Sequence, residues 1–161
     1  MIRKPVVAGQ FYPNDQNELK IMIKQCFQHK FGPGEYPPIK SDEKIFGVIS
    51  PHAGYMYSGP TSCNSYYSIS SQTPDLVIII GPNHFGFGSN VATMGDAKWE
   101  TPLGLVEVDS ESALKLEKNS DIIQLQDIAN ISKNPLSPVE DIFLYNGKVV
   151  VCVAALGAMS Q

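Results

Sequence analysis

The sequence has few charged residues and no long hydrophobic run, and these shortages exclude several classes of protein. Charged residues make up 17% of the 161 residues and hydrophobic residues 43%, a balance typical of a packed domain rather than a disordered chain. No apolar stretch approaches the roughly 20 residues that a membrane-spanning helix needs. The formal net charge is -4, and the twelve basic residues are scattered, so they form no phosphate-binding stripe. We therefore expect a single domain over residues 1–161, with neither membrane nor nucleic acid among its partners.

Cysteine is also scarce. The three cysteines, Cys26, Cys63 and Cys152, are widely spaced among apolar residues, and none belongs to a CxxC or CxxH motif. This pattern predicts buried free thiols in a reducing compartment and gives no support for a structural zinc site. The basic N-terminus breaks at Gly9 and Pro13, too early for the apolar core of a signal peptide. We expect a cytoplasmic protein.

Hydrophobic periodicity predicts two helices that start at polar caps. In the first, Asp15 and Glu18 fit a capping box. The apolar residues that follow at helical spacing are Leu19, Met22, Ile23, Cys26 and Phe27. A shorter helix is predicted from Ser110 to about Asn119.

Three continuous apolar runs predict buried strands at residues 45–50, 75–80 and 148–159. Gly59 and Pro60 fit the N-cap and first residue of a helix between the first two runs. A strand, a helix and a strand in this order form a βαβ unit with parallel neighbouring strands. The glycine-punctuated stretches between residues 86 and 109 suit extra strands or a hairpin. The expected fold class is α/β, with a mainly parallel central sheet and flanking helices.

Few long helices are available to cover both faces of such a sheet. We therefore expect an exposed apolar sheet surface and a homo-oligomer that forms through it.

Two of the predicted strands end on a proline and a histidine. His52 follows Pro51, and His84 follows Pro82, so both imidazoles are expected at the carboxyl edge of the sheet, where α/β proteins bind ligands. Two neutral imidazoles suit a borderline metal or an acid/base pair. The residues alone favour a simpler role, in which each histidine braces its loop, because a metal site normally has a third protein ligand.

Other polar residues near these loops are candidates for the same cleft. Tyr55, Tyr57 and Asn83 are candidate ligand-binding residues, with loop packing as the alternative. The carboxylates that follow the second strand do not distinguish themselves as metal ligands; they are Asp96, Glu100, Glu107 and Asp109.

Five segments of the chain resemble the Memo-like family, whose bacterial and archaeal members are also called protein B of the AmmeMemoRadiSam system. The segments are "PVVAGQFYP", "PHAGYMYSGP", "GPNHFGFGS", "WETPLGLVEVD" and, more loosely, "VVVCVAALGAMS". They occur in family order along nearly the whole chain, and the PHAGY and GPNH motifs together are a specific signal.

The resemblance implies a fold similar to the class III, extradiol-type non-haem iron dioxygenases. It also implies that His52 and His84 are metal ligands. The implied cofactor is a divalent metal (iron, copper or zinc), weakly bound because a third protein ligand is not evident.

The sequence departs from the family pattern in two places. Family members are longer, and a cysteine in their C-terminal part completes the metal site, for which Cys152 is no substitute. Where the family has an EHSIE-like stretch, this chain reads "ISKNPLSPVEDIFLYNG", and Glu140 is the nearest carboxylate. A truncation, a frame shift or a degenerated gene copy would each produce these departures.

Three functions follow from these observations. The first is a metal- or ligand-binding protein whose cleft takes a small molecule or a peptide. The second is a metal-dependent oxidoreductase of dioxygenase-like ancestry. The third is an inactive fragment or degenerated copy.

Overall fold

Two units make up the chain. The computed structural model describes residues 2–82, 89 and 91–126, together with the backbone of residues 148–154. One unit is Val7–Pro74, and the other joins Met1–Val6 to Asp75–Gln161. The single domain expected over residues 1–161 stays a prediction.

The first unit contains two helices that pack against each other, α1 (Gln16–Gln28) and α2 (Tyr55–Ser68). The start of α1 is as predicted, because the Asp15 carboxylate accepts hydrogen bonds from the backbone N–H groups of Asn17 (2.8 Å) and Glu18 (2.9 Å). Its predicted apolar stripe faces the core. The buried members are Leu19, Ile23, Cys26 and Phe27, and Met22 is half-buried.

The predicted start of α2 at Gly59 and Pro60 is wrong. The helix begins at Tyr55 with Gly54 as its N-cap, and Pro60 lies inside it. The first turn is already closed before Pro60, because the N–H groups of Tyr57 and Ser58 donate to the Gly54 carbonyl. Gly59 is buried against the Cys26 side chain, so helix packing outweighs the local cost of an internal proline.

The predicted strand at residues 45–50 is also wrong. Within the described part of the chain, this segment forms no strand and pairs with none. Side chains, and not a neighbouring strand, make hydrogen bonds to this backbone: the Ile45 N–H donates to Gln72 Oε1, and the Ile49 carbonyl accepts from Ser65 Oγ. Phe46 is 90% exposed and Ile49 is 96% exposed, so this apolar run is not buried here. The βαβ unit expected around His52 is therefore absent from the described residues.

The second unit contains a mixed sheet with a short helix. Its described elements are β1 (Ile2–Arg3), β2 (Leu76–Pro82), β3 (Val91–Thr93), β4 (Lys98–Thr101), β5 (Gly104–Val108), α3 (Ser110–Lys118), β6 (Ile123–Leu125) and β7 (Lys148–Ala154).

Strand β7 is central to this sheet. On one side it pairs in parallel with β2 along its whole length. On the other side its start runs parallel to β5 and its end runs antiparallel to β3. The remaining described pairs are β1 with β4 and β3 with β6, both parallel, and the antiparallel hairpin of β4 and β5. The fold is therefore mixed α/β, with the predicted strands at 75–80 and 148–154 confirmed; residues 155–159 lie outside the described residues.

The predicted short helix is confirmed as α3. The Asp109 carboxylate caps it by accepting the Ser112 N–H at 2.8 Å. Ala113, on the inner face of α3, is completely buried and packs with Leu76, Val91, Leu116 and Leu125. Helix and strands thus share one small apolar core.

Candidate functional site

The loop that carries His52 leads directly into α2. His52 is exposed to solvent. At the base of the loop, the Tyr55 N–H donates to the Phe11 carbonyl at 2.8 Å. A Cβ at Gly54 would lie only 3.3 Å from the same Phe11 oxygen, so the glycine permits this close approach. Two of the segments quoted above, around "GQFYP" and "PHAGY", therefore meet beneath the His52 loop.

A row of serines on α2 fixes the backbone on both sides of His52. Ser65, Ser62 and Ser58 donate their hydroxyl hydrogen bonds to the carbonyls of residues 49, 51 and 53, at 2.7, 3.2 and 3.0 Å respectively. Residues at i, i+4 and i+7 share one face of a helix, and alternate carbonyls of an extended chain point the same way. The loop therefore lies along one face of α2, and we call these three residues the serine ladder.

Sequence reasoning missed the serine ladder. Its signal is the spacing of Ser58, Ser62 and Ser65 directly after the PHAGY motif, but serine at helical spacing is common on exposed faces. Only the structure shows that Ser62 is fully buried. The buried Ser62 hydroxyl donates to the carbonyl of Pro51, the residue before His52. Without this bond the carbonyl would lose a partner and the loop would be less stable, so Ser62 has a structural role.

The two predicted tyrosines have different surroundings. Tyr55 is buried, and its ring lies 5.3 Å (centroid to centroid) from that of Tyr12. Tyr57 is 81% exposed on the first turn of α2. Tyr55 thus packs the base of the loop, and Tyr57 is accessible to a ligand.

Asn83 and His84, the other predicted site residues, lie outside the described residues, as does Glu140. Strand β2 ends at Pro82, directly before them, as the sequence pattern predicts. The distance between His52 and His84, and hence a shared cleft, stays a prediction.

The candidate carboxylates have structural partners. Lys98 pairs with Glu107 at 2.6 Å across the β4–β5 hairpin, and Lys4 pairs with Glu100. Glu107 raises the pKa of the Lys98 ammonium, chiefly by accepting its hydrogen bond. Asp109 caps α3 as described above, and Asp96 is exposed.

A metal site needs three or more donors in one place. Among the described residues, no group of three His, Cys, Asp or Glu side chains is arranged to hold a metal ion. The described side chains therefore do not by themselves complete the metal site that the family resemblance implies. The described helices are also too short or too polar for any of them to cross a membrane.

The described geometry defines a mixed α/β protein with an exposed histidine on a loop that a helix holds in place. The chain matches the family described as "Memo-like protein" over residues 3–135. It belongs to the Memo-like family.

Curated relatives in archaea support this assignment. The chain is 63% identical over 130 residues to a MEMO1 family protein of Nitrosopumilus maritimus, covering 81% of this chain and 46% of that protein. It is 47% identical over 135 residues to one of Methanothermobacter thermautotrophicus (83% and 49%), and 45% identical over 139 residues to one of Methanocaldococcus jannaschii (84% and 48%). The chain thus spans about half the length of the curated relatives it matches.

Proposed function

We propose that this chain is a binding protein whose site is built around the His52 loop. The observation that supports the proposal is the serine ladder, which fixes the backbone of the loop while the His52 side chain stays exposed. A fixed backbone lowers the conformational entropy that a loop loses when it binds a ligand. Tyr57, exposed five residues later, supplies a hydroxyl for the same ligand.

The proposed ligand is a small anionic molecule or an anionic group of a peptide. The start of α2 favours negative charge, because backbone N–H dipoles align at a helix N-terminus. No acidic side chain lies in the first turn of α2 to compete for this position. An imidazole N–H and a phenol O–H add two further donors.

The second candidate is a divalent metal held by His52 and His84. Support comes from the family resemblance of the PHAGY and GPNH motifs, together with the exposure of His52. With two imidazoles and no third protein ligand among the described residues, such a site is expected to bind iron, copper or zinc weakly. A dioxygenase-like fold and oxidoreductase chemistry belong to this second candidate only, since that chemistry needs a complete metal site.

Titration calorimetry with matched histidine variants tests both candidates. We expect the purified chain to bind added zinc, ferrous iron or inorganic phosphate. His52→Ala should abolish binding of either kind, and His84→Ala should abolish metal binding. His29→Ala is the matched control, because His29 is exposed at the end of α1, where its Nδ1 accepts the Phe31 N–H. Acidification should weaken metal binding, because an imidazole coordinates a metal only when it is neutral.

The outcomes separate the hypotheses. Unchanged binding in His52→Ala would show that the histidine only braces its loop. Equal losses in His52→Ala and His29→Ala would show nonspecific binding, and no binding of any probe would favour an inactive fragment. Ser62→Ala should weaken phosphate or metal binding without unfolding the protein, since it removes one hydrogen bond that holds the loop and keeps the His52 imidazole itself.

We also propose that the chain self-associates through its sheet. Ile78 and Ile80 lie two residues apart, on one face of β2, and are 53% and 73% exposed. We expect light scattering to show concentration-dependent association that Ile80→Lys reduces. Leu114→Lys, at a position on α3 that is 54% exposed, should leave association unchanged. A strictly monomeric parent chain at high concentration would contradict this proposal.

A further inference from the structure

Two cysteines meet where α1 packs on α2. Cys26 is 6% exposed on α1, and Cys63 is completely buried on α2. Neither is in a disulfide. The space around Gly59 is separate evidence that the two cysteines are close. A Cβ at Gly59 would lie 2.6 Å from the Cys26 sulfur, and Cys63 follows Gly59 by one helical turn on the same face of α2.

The two thiols also interact. The Cys63 thiol donates a hydrogen bond to the Cys26 sulfur, and this bond lowers the pKa of Cys26; burial partly opposes the effect. A lower pKa favours the thiolate, which is the nucleophilic form of cysteine. The lowered pKa and the greater exposure both favour Cys26 as the attacking thiol.

We propose that Cys26 and Cys63 form an oxidative modification site, at which a small peroxide converts the thiol pair into a disulfide that joins α1 to α2. Buried thiols at this position admit hydrogen peroxide more readily than a bulky disulfide reagent, because so little of either sulfur is exposed. The site is separate from the His52 loop and does not depend on the function proposed for it.

The chemistry balances with hydrogen peroxide as the oxidant. The Cys26 thiolate attacks one peroxide oxygen, the O–O bond breaks, and the leaving hydroxide takes up a proton to become water. Cys26 is then a sulfenic acid. The Cys63 sulfur attacks the Cys26 sulfur, the S–O bond breaks, and a second water leaves. Two thiols lose two electrons in total, and the peroxide is reduced to two waters.

The disulfide would connect the N-terminal helix to the helix that carries the serine ladder. The missing Cβ at Gly59 leaves room for the Cys26 sulfur against the face of α2 that carries Cys63. The cross-link restricts separation of α1 from α2, so oxidation should raise the Tm of the unit that carries the His52 loop.

Peptide mapping of the peroxide-treated full chain tests the proposal directly. At neutral pH, the folded chain should lose two hydrogens in mass and yield a single linked peptide pair that contains Cys26 and Cys63. The same chain treated in urea is the control, because there the three cysteines should pair without this preference. Folded protein that links Cys152 instead, or that forms no link while the urea sample does, would overturn the proposal.

Two variants test the assigned roles. Cys63→Ala should leave a Cys26 sulfenic acid that dimedone traps, and oxidation should need a higher pH, since the hydrogen bond that lowers the Cys26 pKa is lost. Cys26→Ala should leave Cys63 unoxidised under the same conditions. Equal oxidation of Cys63 in the Cys26→Ala variant, or an unchanged pH profile in Cys63→Ala, would overturn the assignment of Cys26 as the attacking thiol.

Discussion

Replacing Phe27 with alanine is expected to destabilise the protein by about 3–5 kcal/mol. Phe27 is 1% exposed on α1, and its ring meets Tyr36 edge-on with 5.3 Å between centroids. The substitution removes a buried aromatic ring and leaves a cavity that its neighbours fill only in part. Because α1 and α2 pack together, the support of the His52 loop should weaken with it.

Phe31→Ala is the matched control, since Phe31 is 65% exposed just beyond the end of α1. We expect it to change the free energy of unfolding by less than about 0.5 kcal/mol. Urea unfolding should be followed by far-ultraviolet circular dichroism, because this signal reports directly on helix α1, whereas the single tryptophan, Trp99, belongs to the other unit. Similar losses for both variants would contradict the burial of Phe27.

The second large effect concerns Gly59→Ala, whose effect on the free energy of unfolding should change sign when Cys26 is also replaced. In the parent protein, Gly59→Ala should destabilise by about 1–2 kcal/mol, because the added methyl would meet the Cys26 sulfur at 2.6 Å. In a Cys26→Ala background, the same substitution should stabilise by about 0.5–1 kcal/mol, since alanine is the better helix former and the sulfur is gone. The other contacts of the new methyl, at 3.5 Å from Tyr55 Cβ and 3.6 Å from Cys26 Cβ, are ordinary.

A double-mutant cycle from urea unfolding of the four proteins measures this coupling. Gly47→Ala is the control for a glycine in open space, since nothing lies within 4 Å of a Cβ at that position. Equal destabilisation by Gly59→Ala in both backgrounds would show that the cost lies in the helix backbone. It would also remove the geometric support for the Cys26–Cys63 pair.

The sequence by itself determined the local structure. Asp15 and Ser110 were identified as starts of helices, because polar residues at a helix start bond nearby N–H groups whatever surrounds them; the structure shows that the cap of the second helix is Asp109. Residues 75–80 and 148–159 were identified as strands because continuous apolar, β-branched runs favour them, and the structure confirms them as β2 and, over residues 148–154, β7. The motifs around His52 and His84 also predicted the family, which the comparisons confirm.

The tertiary structure decided everything that depends on a distant partner. Residues 45–50 have the composition of a buried strand, but a strand exists only where a neighbouring strand completes its hydrogen bonds. Here the side chains of Ser65 on α2 and of Gln72 beyond it make hydrogen bonds to this segment instead. Helix α2 starts before Pro60 because the turn at Gly54 is held by Phe11, more than forty residues away. The serine ladder and the contact of Gly59 with Cys26 depend on how two segments pack, which residue spacing along one segment does not encode. His52 could be identified as a candidate from the sequence, whereas its exposure and the structure that holds its loop could not.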